Sequence, residues 1–138
     1  MSQINGREIP AEAYFQRQAR NKNAIDIYEL IDTDEFFVYV MERPEKCKDM
    51  FDIIADRFKQ NKTLSESEVR QYFAQILQAN ICCEEKGVLH RDIKPENILV
   101  DMSNDEVKLI DFGLSSEVQQ EPFTNFRGES SEMSCMRK

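Results

Sequence analysis

Val88-Leu89-His90-Arg91-Asp92-Ile93-Lys94-Pro95-Glu96-Asn97-Ile98-Leu99, followed by Leu109-Ile110-Asp111-Phe112-Gly113, is the stretch from which the rest of this 138-residue chain is read. It sets a carboxylate, Asp92, five residues before an amide, Asn97, and nineteen before a second carboxylate, Asp111. Phosphoryl transfer asks a protein for an acid to orient the attacking hydroxyl and for oxygens that hold Mg²⁺ against the phosphates, and for little covalent chemistry. Asp92 suits the first task, Asn97 and Asp111 the second. Apolar Ile98-Leu99-Val100 and Val107-Lys108-Leu109-Ile110 flank the polar run Asp101-Met102-Ser103-Asn104-Asp105-Glu106, which reads as a hairpin. The plain alternative is a globular hairpin whose acids are merely solvated.

The net charge of -8 and sequence pI near 4.8 exclude the clustered Lys and Arg of a nucleic-acid footprint and favour basic partners. No run approaches the roughly 18 apolar residues of a membrane span, and Met1-Ser2-Gln3-Ile4-Asn5-Gly6-Arg7-Glu8 has no apolar signal core. A cytoplasmic protein, with access to the nucleus, is expected. Cys47, Cys82, Cys83 and Cys135 form neither a disulfide framework nor a metal knuckle, so free thiols are expected, with one of Cys82 and Cys83 in the core. His90 is the sole histidine, and no zinc-ligand spacing accompanies it.

Along the chain, residues 10–21 are helix-permissive, with Pro10 tolerated in a first turn. Strand-like runs over 25–31 and 36–41 flank a polar turn and predict an antiparallel pair. Pro44 breaks the second strand, and residues 49–56 predict a short amphipathic helix. A long helix opens at Ser65, where Glu68 completes a capping-box pattern. Val69, Phe73, Ile76, Leu77 and Ile81 recur at helical spacing and are expected in the core. Gly87 is placed to end that helix as a C-cap glycine. The architecture expected is α+β: helix, two strands, short helix, long helix, catalytic hairpin.

H-R-D-x-x-x-x-N followed by D-F-G is the protein-kinase signature pair, and the element order resembles protein kinases from helix C onward. The segments Glu42-Arg43-Pro44-Glu45, Lys48-Asp49-Met50-Phe51-Asp52, Gly87–Asp92 and Glu106–Asp111 are similar to Pim-type serine/threonine kinases over residues 5–128. The resemblance implies a partial kinase domain over 1–128, with a small-lobe remnant at 5–41, a hinge at 42–48, the start of the large lobe through the activation segment at 49–128, and a disordered tail at 129–138. ATP and Mg²⁺ are the implied cofactors. By the same resemblance, Asp92 orients the substrate hydroxyl and accepts its proton, and Lys94 lies near the transferred phosphate. Asn97 and Asp111 bind Mg²⁺, Leu99 and Ile110 form the floor under adenine, Met41 is the gatekeeper, and Glu12 is the helix-C glutamate. Pro44 has no backbone donor, so the Glu42 carbonyl carries the hinge contact to the nucleotide. Asp49, Asp52 and Glu96 match acidic positions that recognise arginine in the protein substrate, although for Asp49 and Asp52 a solvated helix face is the competing reading. His90 and Phe112 are expected to pack behind the site.

The chain also departs from the family pattern. Its four glycines, Gly6, Gly87, Gly113 and Gly128, form no G-x-G-x-x-G, and no lysine precedes Glu12. Gln16 stands where the family has an apolar spine residue. After Phe123-Thr124-Asn125-Phe126-Arg127-Gly128 no A-P-E or P-P-E motif follows. The expectation is therefore a serine/threonine kinase sequence whose 138 residues alone are inactive and expose apolar faces, or a non-catalytic module that binds partners.

Overall fold

The long helix starts where its cap dictates. In the computed structural model, which describes residues 2–4 and 7–119, Ser65 Oγ accepts from the Glu68 amide and Glu68 Oε2 accepts from the Ser65 amide, at 3.2 and 2.7 Å. This reciprocal box satisfies two of the helix's otherwise unpaired donors. In chain order the elements are β1 (Ser2–Ile4), β2 (Arg7–Ile9), α1 (Ala11–Gln18), β3 (Ile27–Asp32), β4 (Phe37–Met41), β5 (Cys47–Asp49), α2 (Met50–Lys59), α3 (Glu66–Glu85), β6 (Val88–Leu89), a 3₁₀ turn (Pro95–Asn97), β7 (Ile98–Asp101), β8 (Glu106–Leu109) and β9 (Ser116–Glu117). This is the α+β architecture expected, with the β1–β2 hairpin and the short strands β5, β6 and β9 added. Residues 129–138 and the 123–128 segment lie outside the described residues.

Four antiparallel arrangements hold the strands: β1 with β2, β3 with β4, β5–β7–β8 as a three-stranded sheet, and β6 with β9. The core gathers Met50, Ile53, Tyr72, Ala79, Cys83, Val88, Val100, Val107, Leu109 and Phe112 between α2, α3 and the three-stranded sheet. Cys83 is the buried member of the cysteine pair, and burial pushes its thiol up to about 11, a structural rather than reactive setting.

The loop after α1 docks on this core as an extra length of strand. Ala24 bridges Leu109 in parallel, the Leu109 amide donates to the Asn23 carbonyl (2.8 Å), and the Ile25 amide donates to the Leu109 carbonyl (3.0 Å). Asn23 is fully buried, so its amide must be satisfied. Its Nδ2 reaches the Val107 carbonyl at 2.8 Å and Gln75 Oε1 at 3.3 Å.

The expected core stripe on α3 is corrected by the structure. Val69, Phe73, Leu77 and Ile81 face outward, Phe73 being 63% exposed, while Tyr72, Ala79 and Cys83 are buried and Ile76 is half-buried. Helical spacing identifies an apolar face but not its partner, and α3 carries two such faces. The one built on Ala79 and Cys83 lets β6 and β8 approach closely, so it packs within this chain. On the bulkier face Val69, with Ile54 and Phe58 of α2, lines an open apolar groove of about 310 Å³. Exposed large side chains also line the two-stranded β3–β4 sheet at Tyr28, Phe36, Val38 and Val40, the association hazard expected of open edges and apolar patches.

Candidate active site

Gly87 ends α3 with φ +77°, the left-handed conformation a glycine adopts without penalty. From there β6 pairs with β9, Val88 opposite Glu117 and Leu89 opposite Ser116, so the chain entering the catalytic loop is stitched to the chain leaving Asp111-Phe112-Gly113. His90, buried between them, is held from several sides. Its Nε2 donates to the Ile110 carbonyl (3.0 Å), its Nδ1 accepts from the Asp92 amide (3.2 Å), and its carbonyl accepts from Ser115 Oγ (3.2 Å). Its ring meets Phe112 edge-on at 4.7 Å. These bonds fix the neutral Nε2–H tautomer. His90 and Phe112 are thus the packing pair expected.

Burial holds the His90 pKa below its ordinary 6.5, against the opposing pull of the Ile110 bond and of Asp92 and Asp111. The unfolded chain therefore takes up a proton that the folded one refuses. Stability contributed by neutral His90 is intact above pH 6.5 and is lost as the pH falls below it. With one histidine in the chain, its ring resonances are unambiguous in an NMR titration. The expected midpoint lies below 6.5, with thermal stability declining over the same interval; a midpoint at or above 6.5 would contradict this account.

Asp92 and Asn97 act as one unit. Asn97, buried at the end of the 3₁₀ turn, donates from Nδ2 to Asp92 Oδ2 at 2.8 Å and to the Asp92 carbonyl at 3.0 Å. Lys94 Nζ lies 3.5 Å from Asp92 Oδ2, both side chains being largely shielded. The Asn97 carbonyl accepts from the Ile110 amide at 3.1 Å, tying the loop to the residue before Asp111. Arg91 and Asp111 both have positive φ, 68° and 61°. Such conformations are uncommon outside glycine and collect at functional sites. The Gly113 amide donates to Asp111 Oδ1 at 3.1 Å, and a Cβ at residue 113 would sit 3.0 Å from that oxygen. A side chain at residue 113 would press that oxygen back by a few tenths of an ångström.

The donor set fits Mg²⁺. Asn97 spends its nitrogen on Asp92, which leaves its oxygen as the amide's metal-binding end, and Asp111 adds a carboxylate. No cluster of three or more His, Cys, Asp or Glu able to hold a metal occurs among the described residues. An amide oxygen and a carboxylate are the kind of set taken by an ion that completes its shell with water and phosphate.

Around this centre, Leu99 and Ile110 are half-buried, as are Glu42 and Pro44, while Met41 is 47% exposed. Glu12, on α1, senses Asp111: its pKa is raised first by burial and then by that carboxylate. Among the described residues Glu12 makes no ion pair. Asp49 is the N-cap of α2, its Oδ1 accepting from the Asp52 amide at 2.7 Å, a structural task beside the substrate role that the resemblance implies for it. Asp52 and Glu96 are exposed, and α2 packs against the 3₁₀ turn that carries Glu96. Gln16, the polar residue at the family's apolar spine position, is buried and used: its Nε2 donates to the Ile25 carbonyl at 2.8 Å and lies 3.7 Å from Met41 Sδ. Sequence reasoning missed Lys108, whose ammonium joins Glu42 at 2.8 Å. The one signal for it was a lysine alternating with buried Val107 and Leu109.

The fold and this geometry are those of a protein kinase. A protein kinase domain model matches residues 1–134, and the chain belongs to that family. Relatives include serine/threonine-protein kinase pim-2 of Danio rerio, 40% identical over 92 residues (67% of this chain and 28% of that protein). Serine/threonine-protein kinase prk-2 of Caenorhabditis elegans is 35% identical over 128 residues, covering 92% of this chain and 28% of the relative. NUAK family SNF1-like kinase 1 of Mus musculus is 37% identical over 115 residues, 83% of this chain and 17% of the relative. The chain thus spans less than a third of the relatives it matches.

Proposed function

We propose that this sequence carries the catalytic loop and metal-binding hairpin of a Pim-type serine/threonine kinase, which moves the γ-phosphoryl group of ATP to a Ser or Thr hydroxyl of an arginine-containing protein. The observation that carries the reading is the Asp92 carboxylate held by Asn97 and flanked by Lys94, with Asp111 tied to the same loop through Ile110. Asp92 orients the hydroxyl and takes its proton as the new P–O bond forms and the bond to the β-phosphate oxygen breaks. Lys94 offers positive charge to the transferred group. Asn97 and Asp111 would hold Mg²⁺, which when bound neutralises charge on the phosphate oxygens. Glu42 and Pro44 supply a hinge with one carbonyl contact and no proline donor, the feature favouring the Pim type. Met41, Leu99 and Ile110 give the adenine an apolar surround. Asp49, Asp52 and Glu96 form the acidic surface for arginine, whose guanidinium pairs with carboxylates in bidentate fashion.

A second reading, a non-catalytic binding or regulatory module, is favoured by Glu12, which has no cation partner among the described residues and whose pKa is raised by burial and Asp111. The test is transfer of labelled phosphate from ATP to peptide arrays. It compares the 138-residue chain with a kinase domain in which the flanking segments of its relatives are supplied. The short chain is expected to match its own Asp92→Asn background, because phosphate positioning makes up much of this catalysis. The completed domain is expected to favour Ser or Thr downstream of arginine and to lose that preference with Glu96→Lys. Turnover by the short chain within the ordinary range of about 1–100 per second would overturn the first expectation. Indifference of the completed domain to arginine would overturn the second.

A further inference from the structure

We infer that Lys108 is a positioning residue that clamps the hinge-side end of β4 to the catalytic hairpin through the loop between α1 and β3. Its ammonium lies 2.8 Å from Glu42 Oε1 and donates to the Lys22 carbonyl at 2.9 Å. The other oxygen of Glu42 accepts from the Asp26 amide at 3.2 Å, and the Glu42 amide donates to the Asp26 carbonyl at 2.9 Å. Asp26 in turn pairs with Arg20 at 2.7 Å. Lys22 and Asp26, from the loop between α1 and β3, therefore meet the Lys108–Glu42 ion pair, which joins three separated parts of the sequence.

The pair is not a surface decoration. The Lys108 side chain is 11% exposed and that of Glu42 24%, a setting in which losing one partner leaves the other charge poorly solvated and uncompensated. Exposed ion pairs by contrast contribute little. The location gives it leverage. β8 carries Lys108 on the face opposite buried Val107 and Leu109, and two residues after Leu109 the same chain delivers Asp111. At the other end of the pair, Glu42 begins the connection from β4 to β5. The backbone bonds of Leu109 to Asn23 and Ile25 fix the same loop to β8. The Lys108 clamp adds a lateral constraint, holding the Glu42 side chain from behind so that its backbone has one orientation.

Amide hydrogen exchange on the 138-residue chain tests the clamp without any nucleotide. In Lys108→Met the Asp26 and Glu42 amides are expected to exchange about tenfold faster, while the Val107 amide, bonded to Gln75 Oε1, and the Asn97 amide, bonded to the Lys94 carbonyl, keep their rates. Lys108→Arg, which retains the charge and donors, is expected to restore slow exchange. Glu42→Gln keeps an acceptor for the Asp26 amide but removes the charge, and provides a milder variant in case the first does not fold; it too is expected to loosen those two amides. Unchanged exchange in both variants, or a uniform rise across β7 and β8, would overturn the inference. A consequence for ATP rests on the kinase reading above: in the completed domain Lys108→Met is expected to raise KM for ATP several-fold, with kcat held within about twofold. An inactive unsubstituted domain would overturn the kinase reading and leave the exchange result standing. An active one whose KM for ATP ignores Lys108 would overturn the clamp's role at the hinge.

Discussion

Asp92→Asn is expected to lower kcat about 10²- to 10⁴-fold in a kinase domain that contains this chain and its flanking segments, the range for removing a positioned general base. The substitution is nearly isosteric, so Asn97 Nδ2 still finds an oxygen at residue 92 where it now lies 2.8 Å from Oδ2. What disappears is the charge that faces Lys94 at 3.5 Å and the capacity to take a proton. The loss belongs in kcat, with KM for ATP changed less than about twofold, because an interaction made only in the transition state leaves ground-state binding alone. Asn97→Ala should differ by acting on two functions together: it frees the Asp92 carboxylate to rotate and removes the oxygen proposed to hold Mg²⁺, so its dependence on Mg²⁺ concentration should shift as well. Steady-state rates at saturating and limiting ATP distinguish these patterns. Activity of Asp92→Asn within tenfold of the unsubstituted domain would remove Asp92 from the proton-accepting role.

The parts of this site that depend on local chemistry were legible in the sequence. The capping box at Ser65 and Glu68, the C-cap at Gly87 and the hairpin over 98–109 each follow from residues close together in the chain. So does the grouping of Asp92, Asn97 and Asp111, because the loop and hairpin between them are short. What sequence could not supply was partner choice at long range. Gln16 looked like a defect because its acceptor, the Ile25 carbonyl, becomes available only when the α1–β3 loop adds itself to β8. Lys108 drew no notice because its partner Glu42 lies 66 positions earlier in the sequence. Asp49 carries a local signal that went unused: the cap its Oδ1 makes to the Asp52 amide spans three residues and could be read from the chain alone. The α3 stripe failed for a related reason, since two apolar faces on one helix compete and only tertiary partners decide between them.

That competition sets up a second large effect. Leu109→Ala is expected to destabilise the chain by about 2–5 kcal/mol, the range for removing a fully buried Leu side chain, whereas Leu77→Ala, of equal chemistry on the outward face of α3, should fall within about 0.5 kcal/mol of the unsubstituted chain. Leu109 is fully buried and its own backbone anchors the α1–β3 loop, so a cavity there lies under the hairpin that carries Asp111 as well as in the core. Leu77 is 50% exposed. The cost at residue 109 is a large fraction of the whole stability of a domain, about 5–15 kcal/mol, so loss of a cooperative urea transition at 25 °C would be one form of the expected result if the chain lies at the low end of that range. Urea titrations at two protein concentrations complete the test. If Leu77→Ala proved as costly as Leu109→Ala and the cost grew with concentration, the outward face of α3 would be buried in solution by association between chains. If Leu109→Ala cost less than about 1 kcal/mol, the packing of β8 against α3 would not be what holds this fold together.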